Sequence, residues 1–163
     1  MSGIMSGDLP YLISVSKLIQ RAQSGDSRFG CPTGIPEFVR RFRSLKVLVL
    51  DNLKVDCSRS RVSFEWITGV LQQLSSPIRR LVFEVTVTER SQLDAIPWAF
   101  IDRILHSDNP QFRTLLRVKV LLKRGGHQKG RPPLNRDVVC SLVTRRLPTL
   151  NLLGLLRCDT AGW

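Results

Sequence analysis

Apolar residues recur along this chain in a six-residue pattern, L-x-x-[LV]-x-[LF], with Ile or Val also admitted. The pattern occurs four times, and its first positions are separated by 33, 37 and 35 residues. Because residues two apart face the same side of a strand, each occurrence predicts one strand of a repeat. The patterned residues are Leu45, Leu48 and Leu50; Ile78, Leu81 and Phe83; Leu115, Val118 and Val120; and Leu150, Leu153 and Leu155.

Each interval between these segments carries apolar residues at helical spacing, over Phe64–Leu74, Leu93–Leu105 and Val138–Leu147. The second helix can begin near Pro97, since proline is tolerated in a first turn. Asn135 is available to cap the third helix. Strands that alternate with helices predict parallel pairing and right-handed crossovers.

The pattern divides the chain into three parts. Residues 37–158 are predicted to form the strand-helix repeat domain, which begins with a short helical run over 37–42. Residues 1–36 are a poorly defined N-terminal segment, with a possible helix over 9–21 and a Gly/Ser/Pro-rich loop over 24–36. Residues 159–163 are predicted to be a tail.

Five segments resemble the degenerate leucine-rich-repeat region of fungal F-box-like proteins. They are SLKVLVLDNL (44–53), PIRRLVFEVTV (77–87), QLDAIPWAFIDRIL (92–105), LLRVKVLL (115–122) and VTRRLPTLNLLGLLRC (143–158). The resemblance implies an α/β fold, an irregular leucine-rich-repeat-like solenoid fragment with a parallel sheet backed by helices. It also implies a role in presenting bound proteins to a ubiquitin ligase.

Two features of that family have no counterpart here. The regular repeat places Asn or Cys three residues after its last patterned Leu, where this chain has Leu53, Thr86 and Lys123. An asparagine ladder is therefore not expected. No segment before Ile35 reads as an F-box.

The formal net charge of +12 is concentrated in the second part of the chain. Residues 114–163 hold 10 basic and 2 acidic side chains, and a run without acidic residues, KRGGHQKGRPPLNR, spans 123–136. Such a run can contact phosphates by charge alone, although it lacks aromatic residues that would stack on bases. The candidate polyanion-binding residues are Lys123, Arg124, Lys129, Arg131 and Arg136.

Catalytic and metal-binding patterns are absent from the sequence, which therefore predicts a protein that is not an enzyme and needs no cofactor. The four cysteines have no zinc-type spacing and are read as reduced, mostly buried thiols. His106 and His127 are 21 residues apart, and Gly125–Pro132 lacks the Lys and Ser or Thr of a phosphate loop. The scattered carboxylates are typical of a solvated face; they are Asp51, Glu84, Asp94 and Asp102.

Two tryptophans, Trp66 and Trp98, occupy corresponding positions near the starts of successive helices, which favours packing over ligand stacking. The sequence has no signal peptide pattern and no apolar run of the roughly 18 residues that would span a bilayer. An intracellular protein of the cytoplasm or nucleus, without membrane association, is the expectation.

The function expected from these observations is binding of a protein partner whose identity the sequence does not name. Period-two geometry places one set of strand residues on the side opposite the patterned Leu residues. These candidate partner-binding residues are Val47, Val49, Asp51, Arg80, Val82, Glu84, Arg117, Lys119 and Leu121. Two alternatives stay open: electrostatic binding of nucleic acid through the 123–136 loop, together with Arg117, Lys119, Arg145 and Arg146, and a non-functional fragment of a longer repeat protein.

Overall fold

In the described residues, five parallel strands form one sheet, in which they follow one another in chain order. The computed structural model describes residues 12–14, 43–54, 64–126 and 134–163. The four long strands are β2 (Val47–Lys54), β3 (Arg80–Val87), β4 (Arg117–Arg124) and β5 (Leu156–Ala161), and β1 (Leu12–Ser14) adds three residues beside β2. The predicted α/β architecture with a parallel sheet is confirmed.

In the described residues, helices connect β2 to β3, β3 to β4 and β4 to β5. They are α1 (Glu65–Gln73), α2 (Trp98–His106), α3 (Arg136–Arg146) and α4 (Pro148–Leu152). Two short 3-10 helices, Arg90–Ala95 and Pro110–Phe112, precede α2 and β4. Pro97 immediately precedes α2, and the Asn135 side chain accepts hydrogen bonds from the first amides of α3, as the sequence predicted.

The register of the sheet aligns the patterned residues of the first three units. Leu48 pairs with Leu81, and Leu81 pairs with Val118. Two residues further along, Leu50, Phe83 and Val120 form a second row. All six side chains are fully buried, so each row fills the space between the sheet and the helices.

A bulge in β2 keeps the inward face apolar to the end of the strand. Leu50 pairs with Phe83, but the next paired residue of β2 is Leu53, opposite Val85. Side chains alternate between the two faces along a strand, so after the extra residue the inward and outward positions are exchanged. Leu53 is consequently buried. The position where a regular repeat has its turn-satisfying Asn or Cys is here part of the core.

The two faces of the sheet differ. Along β3 and β4, buried side chains alternate with half-buried or exposed ones. The buried set packs against the helices, as shown by the edge-to-face contact of Phe83 with Trp98 of α2, whose ring centroids lie 6.0 Å apart. We call the opposite side the outer face.

Polar side chains in the turns before the strands join neighbouring units. The buried Ser76 hydroxyl accepts a hydrogen bond from the Leu45 amide at 3.1 Å. The Thr114 hydroxyl donates to the Ile78 carbonyl at 3.3 Å. Successive units are thus linked at the amino-terminal end of the sheet as well as along the strands.

The predicted fourth strand, over Leu150–Leu155, is wrong. Leu150 lies in α4, which begins at Pro148, and Gly154 ends that helix with a φ of +69°. The Leu155 amide donates to the Leu150 carbonyl at 3.0 Å, which closes the helix before β5 starts. The strand therefore begins one residue beyond the predicted segment.

Two further boundaries need correction. The possible helix over 9–21 is contradicted at Leu12–Ser14, which form β1 beside β2. The predicted tail over 159–163 is wrong for Asp159–Ala161, which belong to β5. The helical run over 37–42 and the loop over 24–36 lie outside the described residues.

Asp102 was expected on a solvated face, but it is 5% exposed. Its two carboxylate oxygens accept hydrogen bonds from the amides of Thr149 and Leu150, at 3.2 and 3.1 Å. These amides lie in the first turn of α4 and have no partner within that helix. The α2 carboxylate therefore anchors α4 across 47 residues of chain.

Replacing Leu48 or Leu81 with Ala is expected to lower the free energy of unfolding by about 2–5 kcal/mol, because each is a fully buried core side chain. Replacing the half-buried Val82 should cost clearly less. Denaturant titrations of the three variants check this. Equal losses would mean that the inward and outward faces are misassigned.

Replacing Asp102 with Ala is expected to cost about 1–3 kcal/mol, since it leaves two amides without their acceptor. Asp102→Asn retains one acceptor oxygen and should cost less. The exposed Asp108 provides the matched control, and Asp108→Ala should stay within about 0.5 kcal/mol of the parent. An Asp102→Ala variant as stable as this control would show that the cap contributes nothing.

Candidate functional site

The outer face brings all nine candidate partner-binding residues onto one side of three adjacent strands. They are Val47, Val49 and Asp51 of β2; Arg80, Val82 and Glu84 of β3; and Arg117, Lys119 and Leu121 of β4. Arg80 and Arg117 are exposed, and the other seven are half-buried. The predicted grouping follows directly from the parallel register.

Apolar side chains occupy the middle of this face. Val49 pairs with Val82, Val82 pairs with Lys119, and Leu121 pairs with Glu84 one row further along. These aliphatic groups are half-buried and keep part of their surface accessible. We call Val47, Val49, Val82 and Leu121 the aliphatic strip.

Ion pairs border the strip on the side of β5. Asp159 accepts from Lys119 and Arg157, each at 3.1 Å. The hydrogen bonds from Arg157 and Lys119 hold the pKa of the Asp159 carboxyl below its ordinary value. Because the folded-state pKa is depressed, this contribution to stability is present above about pH 4 and is lost as the pH falls further.

Arg157 and Asp159 were not predicted as parts of this surface. The last strand was predicted to end at Leu155, and residue 159 was assigned to a tail. The signal that would have included them is the period-two alternation of Leu156–Ala161. In the structure they extend the rows of β4, with Arg157 beside Lys119 and Asp159 beside Leu121.

Six cations surround the amino-terminal ends of the strands. In each unit, three positions around the first patterned apolar residue lie at this end of the sheet. They are the position two residues before it, the position directly after it and the position two residues after it. Backbone hydrogen bonds from Arg79 to Lys46 and from Leu116 to Arg79 show this alignment. We call these exposed residues the basic rim: Arg43, Lys46, Arg79, Arg80, Arg113 and Arg117.

The part of the chain that the structure describes does not neutralise the basic rim. Among the residues that the structure describes, none of its six cations makes an ion pair. By contrast, Lys123 pairs with Glu84 and Arg146 pairs with Asp94. Within the described residues, six cations without an ion pair thus lie together at the end of the sheet where the strands begin.

The residues of the 123–136 loop are only partly placed. Lys123 and Arg124 end β4, and Arg136 begins α3; all three are exposed. Lys129 and Arg131 lie outside the described residues. The hypothesis of nucleic-acid binding through this loop also included Lys119 and Arg146. Both are paired with carboxylates, so less free positive charge is available for phosphates.

The other residues that were considered for catalysis, phosphate binding or metal binding show no arrangement for these roles in the described part of the chain. His106 lies at the end of α2, and its Nδ1 contacts the Asp102 carbonyl. Gly125 follows β4 where an added Cβ would clash with the Thr88 methyl group, which explains a glycine there without a phosphate. In the described part of the chain, no three His, Cys, Asp or Glu side chains form a group that could hold a metal ion.

The tryptophans take packing positions. Trp98 is buried and donates from Nε1 to the Leu93 carbonyl at 2.8 Å. Trp66 is half-buried and packs against the core. Trp163 is also half-buried and donates to the Leu122 carbonyl at 3.2 Å.

Among the described residues, no helix has both the length and the apolar character needed to cross a membrane. Compared with known proteins, the chain matches no family model, no curated protein and no solved structure. Its function therefore has to be argued from the surfaces described above.

Proposed function

We propose that the protein is a non-enzymatic interaction module that binds another protein across the outer face of its sheet. The observation that carries the proposal is the aliphatic strip, which stays partly accessible on the side of the sheet opposite the helices. An accessible apolar centre within a charged border is the usual composition of a protein interface.

The border of the strip indicates what kind of partner fits. Lys119 and Arg157 share the carboxylate of Asp159, so only one net positive charge is left in this group for a partner to neutralise. The basic rim has no such internal partners among the described residues. Complementary charge steers association, so a partner with an acidic patch beside an apolar one suits this surface.

The resemblance to the repeat region of F-box-like proteins supports the same role, since those repeats recognise a bound protein. The strand order supports the solenoid interpretation as well, because each unit supplies one strand and the strands lie side by side in chain order. A link to a ubiquitin ligase remains an association carried by relatives with an F-box.

Polyanion binding is the second candidate, and the basic rim favours it. Arg80 and Arg117 lie side by side in register, with strand backbones about 4.8 Å apart. Such closely spaced cations can contact several phosphates at once. This version places the contacts at the rim and not at the 123–136 loop.

Photo-crosslinking distinguishes an interface on the outer face from non-specific contact. A photoreactive residue at Val82 is expected to form an adduct with a protein partner in a cell lysate, whereas the same residue at Gln72, exposed on α1, should not. Adding Val49→Asp and Leu121→Asp to the Val82 probe should reduce the adduct about tenfold, since both place charge in the strip.

Circular dichroism and thermal unfolding of each variant provide the control for folding. Equal labelling from Val82 and Gln72, or an adduct that survives the two Asp substitutions in a folded protein, would contradict the proposed function.

Salt titrations test the polyanion alternative, with a DNA duplex and a single-stranded RNA as probes. We expect weak binding at about 0.15 M salt, and each lost rim cation should reduce the slope of log affinity against log salt by about 0.7–0.9. Arg80→Ser with Arg117→Ser should therefore change the slope, and Lys129→Ser with Arg131→Ser should alter neither slope nor folding. A nanomolar, sequence-selective complex at this salt concentration would promote nucleic-acid binding to the main function.

A further inference from the structure

Two cysteines from different elements meet at the last strand of the sheet. The sulfur atoms of Cys140 and Cys158 lie 3.0 Å apart, and both residues are half-buried free thiols. Cys140 belongs to α3, between its buried residues Val139 and Val143, and Cys158 belongs to β5. They are separated by 18 residues and are brought together only by the packing of α3 on β5.

The register explains why Cys158 points toward the helix. It pairs with Val120 of β4 and so continues the inward row of Leu50 and Phe83. In the first units this row is filled by large apolar side chains that pack on helices. At the edge of the sheet the corresponding place is taken by a thiol, and the helix supplies a second thiol opposite it.

We propose that Cys140 and Cys158 form an oxidisable dithiol site, which takes a low-molecular-weight disulfide as its oxidant and closes to an intramolecular disulfide. A disulfide bond is about 2.0 Å long, so the sulfurs need to approach by only about 1 Å. The site is independent of the proposed function of the outer face.

The reaction consists of two thiol-disulfide exchanges. The Cys140 thiolate attacks one sulfur of the oxidant RSSR, and the S–S bond breaks with release of RS⁻. The Cys158 sulfur, on losing its proton to solvent, then attacks Cys140, and a second RS⁻ leaves. Overall the protein loses two protons and two electrons, and one RSSR takes them up to give two RSH.

The surroundings of the two sulfurs favour this order. Burial, together with the hydrogen bond to Cys140, raises the pKa of the Cys158 thiol far above its ordinary value. Because the thiolate is the nucleophile, Cys158 is poorly suited to attack the oxidant first. It is well placed for the second step, in which its target is the sulfur it already contacts.

Closing the bond joins α3 to β5 covalently. In the sheet formed by the described residues, β5 is the edge strand and pairs with β4 alone. A crosslink between residues 140 and 158 restricts the unfolded chain and should raise the midpoint of thermal unfolding by about 5–10 °C. The reduced and oxidised forms thus differ in how firmly the edge of the sheet is held.

Oxidised glutathione is the probe, applied to the full chain with Cys31→Ser and Cys57→Ser to remove the other thiols. We expect a mass lower by two hydrogens, a proteolytic fragment linking residues 140 and 158, and the rise in unfolding temperature, all reversed by dithiothreitol. Cys158→Ser should instead accumulate one glutathione on Cys140. The matched control, Cys140→Ser with Ser141→Cys, moves the helix thiol to an exposed neighbouring position and should give no link to Cys158.

Alkylation of the unmodified wild-type chain, before and after exposure to oxidised glutathione, gives the same readout without any substitution. Protection of both Cys140 and Cys158 as a linked pair supports the site. Two separate glutathione adducts, a link between chains only, or no reaction of either cysteine in the folded protein would overturn it.

Discussion

Parallel pairing in a fixed register is the constraint on which the rest of this structure depends. Side chains alternate along a strand, so a slip of one residue would turn every buried side chain of that strand outward. The row that joins Leu48, Leu81 and Val118 therefore requires that each strand pair with its neighbour without a slip, while the connections absorb the differences in repeat length. Where β2 would lose this match, the bulge before Leu53 restores it. Both candidate sites follow from the same register, the aliphatic strip from its outward positions and the dithiol from its inward ones.

Sequence pattern predicts the parts of the fold in which local and long-range signals agree. In the first three units, apolar spacing, turn residues and helix caps all indicate the same elements, and the structure has them. The fourth unit fails because Leu150, Leu153 and Leu155 fit a strand and a short helix equally well. Pro148 at the start of α4 and Gly154 after its end are the local signals that favour the helix. Asp102, whose carboxylate caps α4 from a helix 47 residues earlier, adds a contact that no local pattern predicts.

The candidate surfaces were predictable to different degrees. Strand alternation alone identified the nine outer-face residues, because they lie within strands that the pattern defines. Arg157 and Asp159 were missed through the misplaced last strand. The dithiol could not be predicted from the sequence for another reason. Cys140 and Cys158 have no recognisable spacing and meet only when α3 packs on β5. A prediction of that contact requires the register of β5, which the sequence did not supply.

The distribution of net charge along the sequence is a poor guide to where ion pairs leave positive charge in the fold. The second part of the chain holds most of the excess positive charge, yet Lys119, Lys123 and Arg146 are paired with Asp159, Glu84 and Asp94. The basic rim draws its cations from three repeat units and contains no residue of the 123–136 run. Repetition explains this distribution, because equivalent positions in successive units are neighbours in space. Charge that is dispersed along the sequence is thus gathered by the fold, and a ligand that meets the rim meets all three units at once.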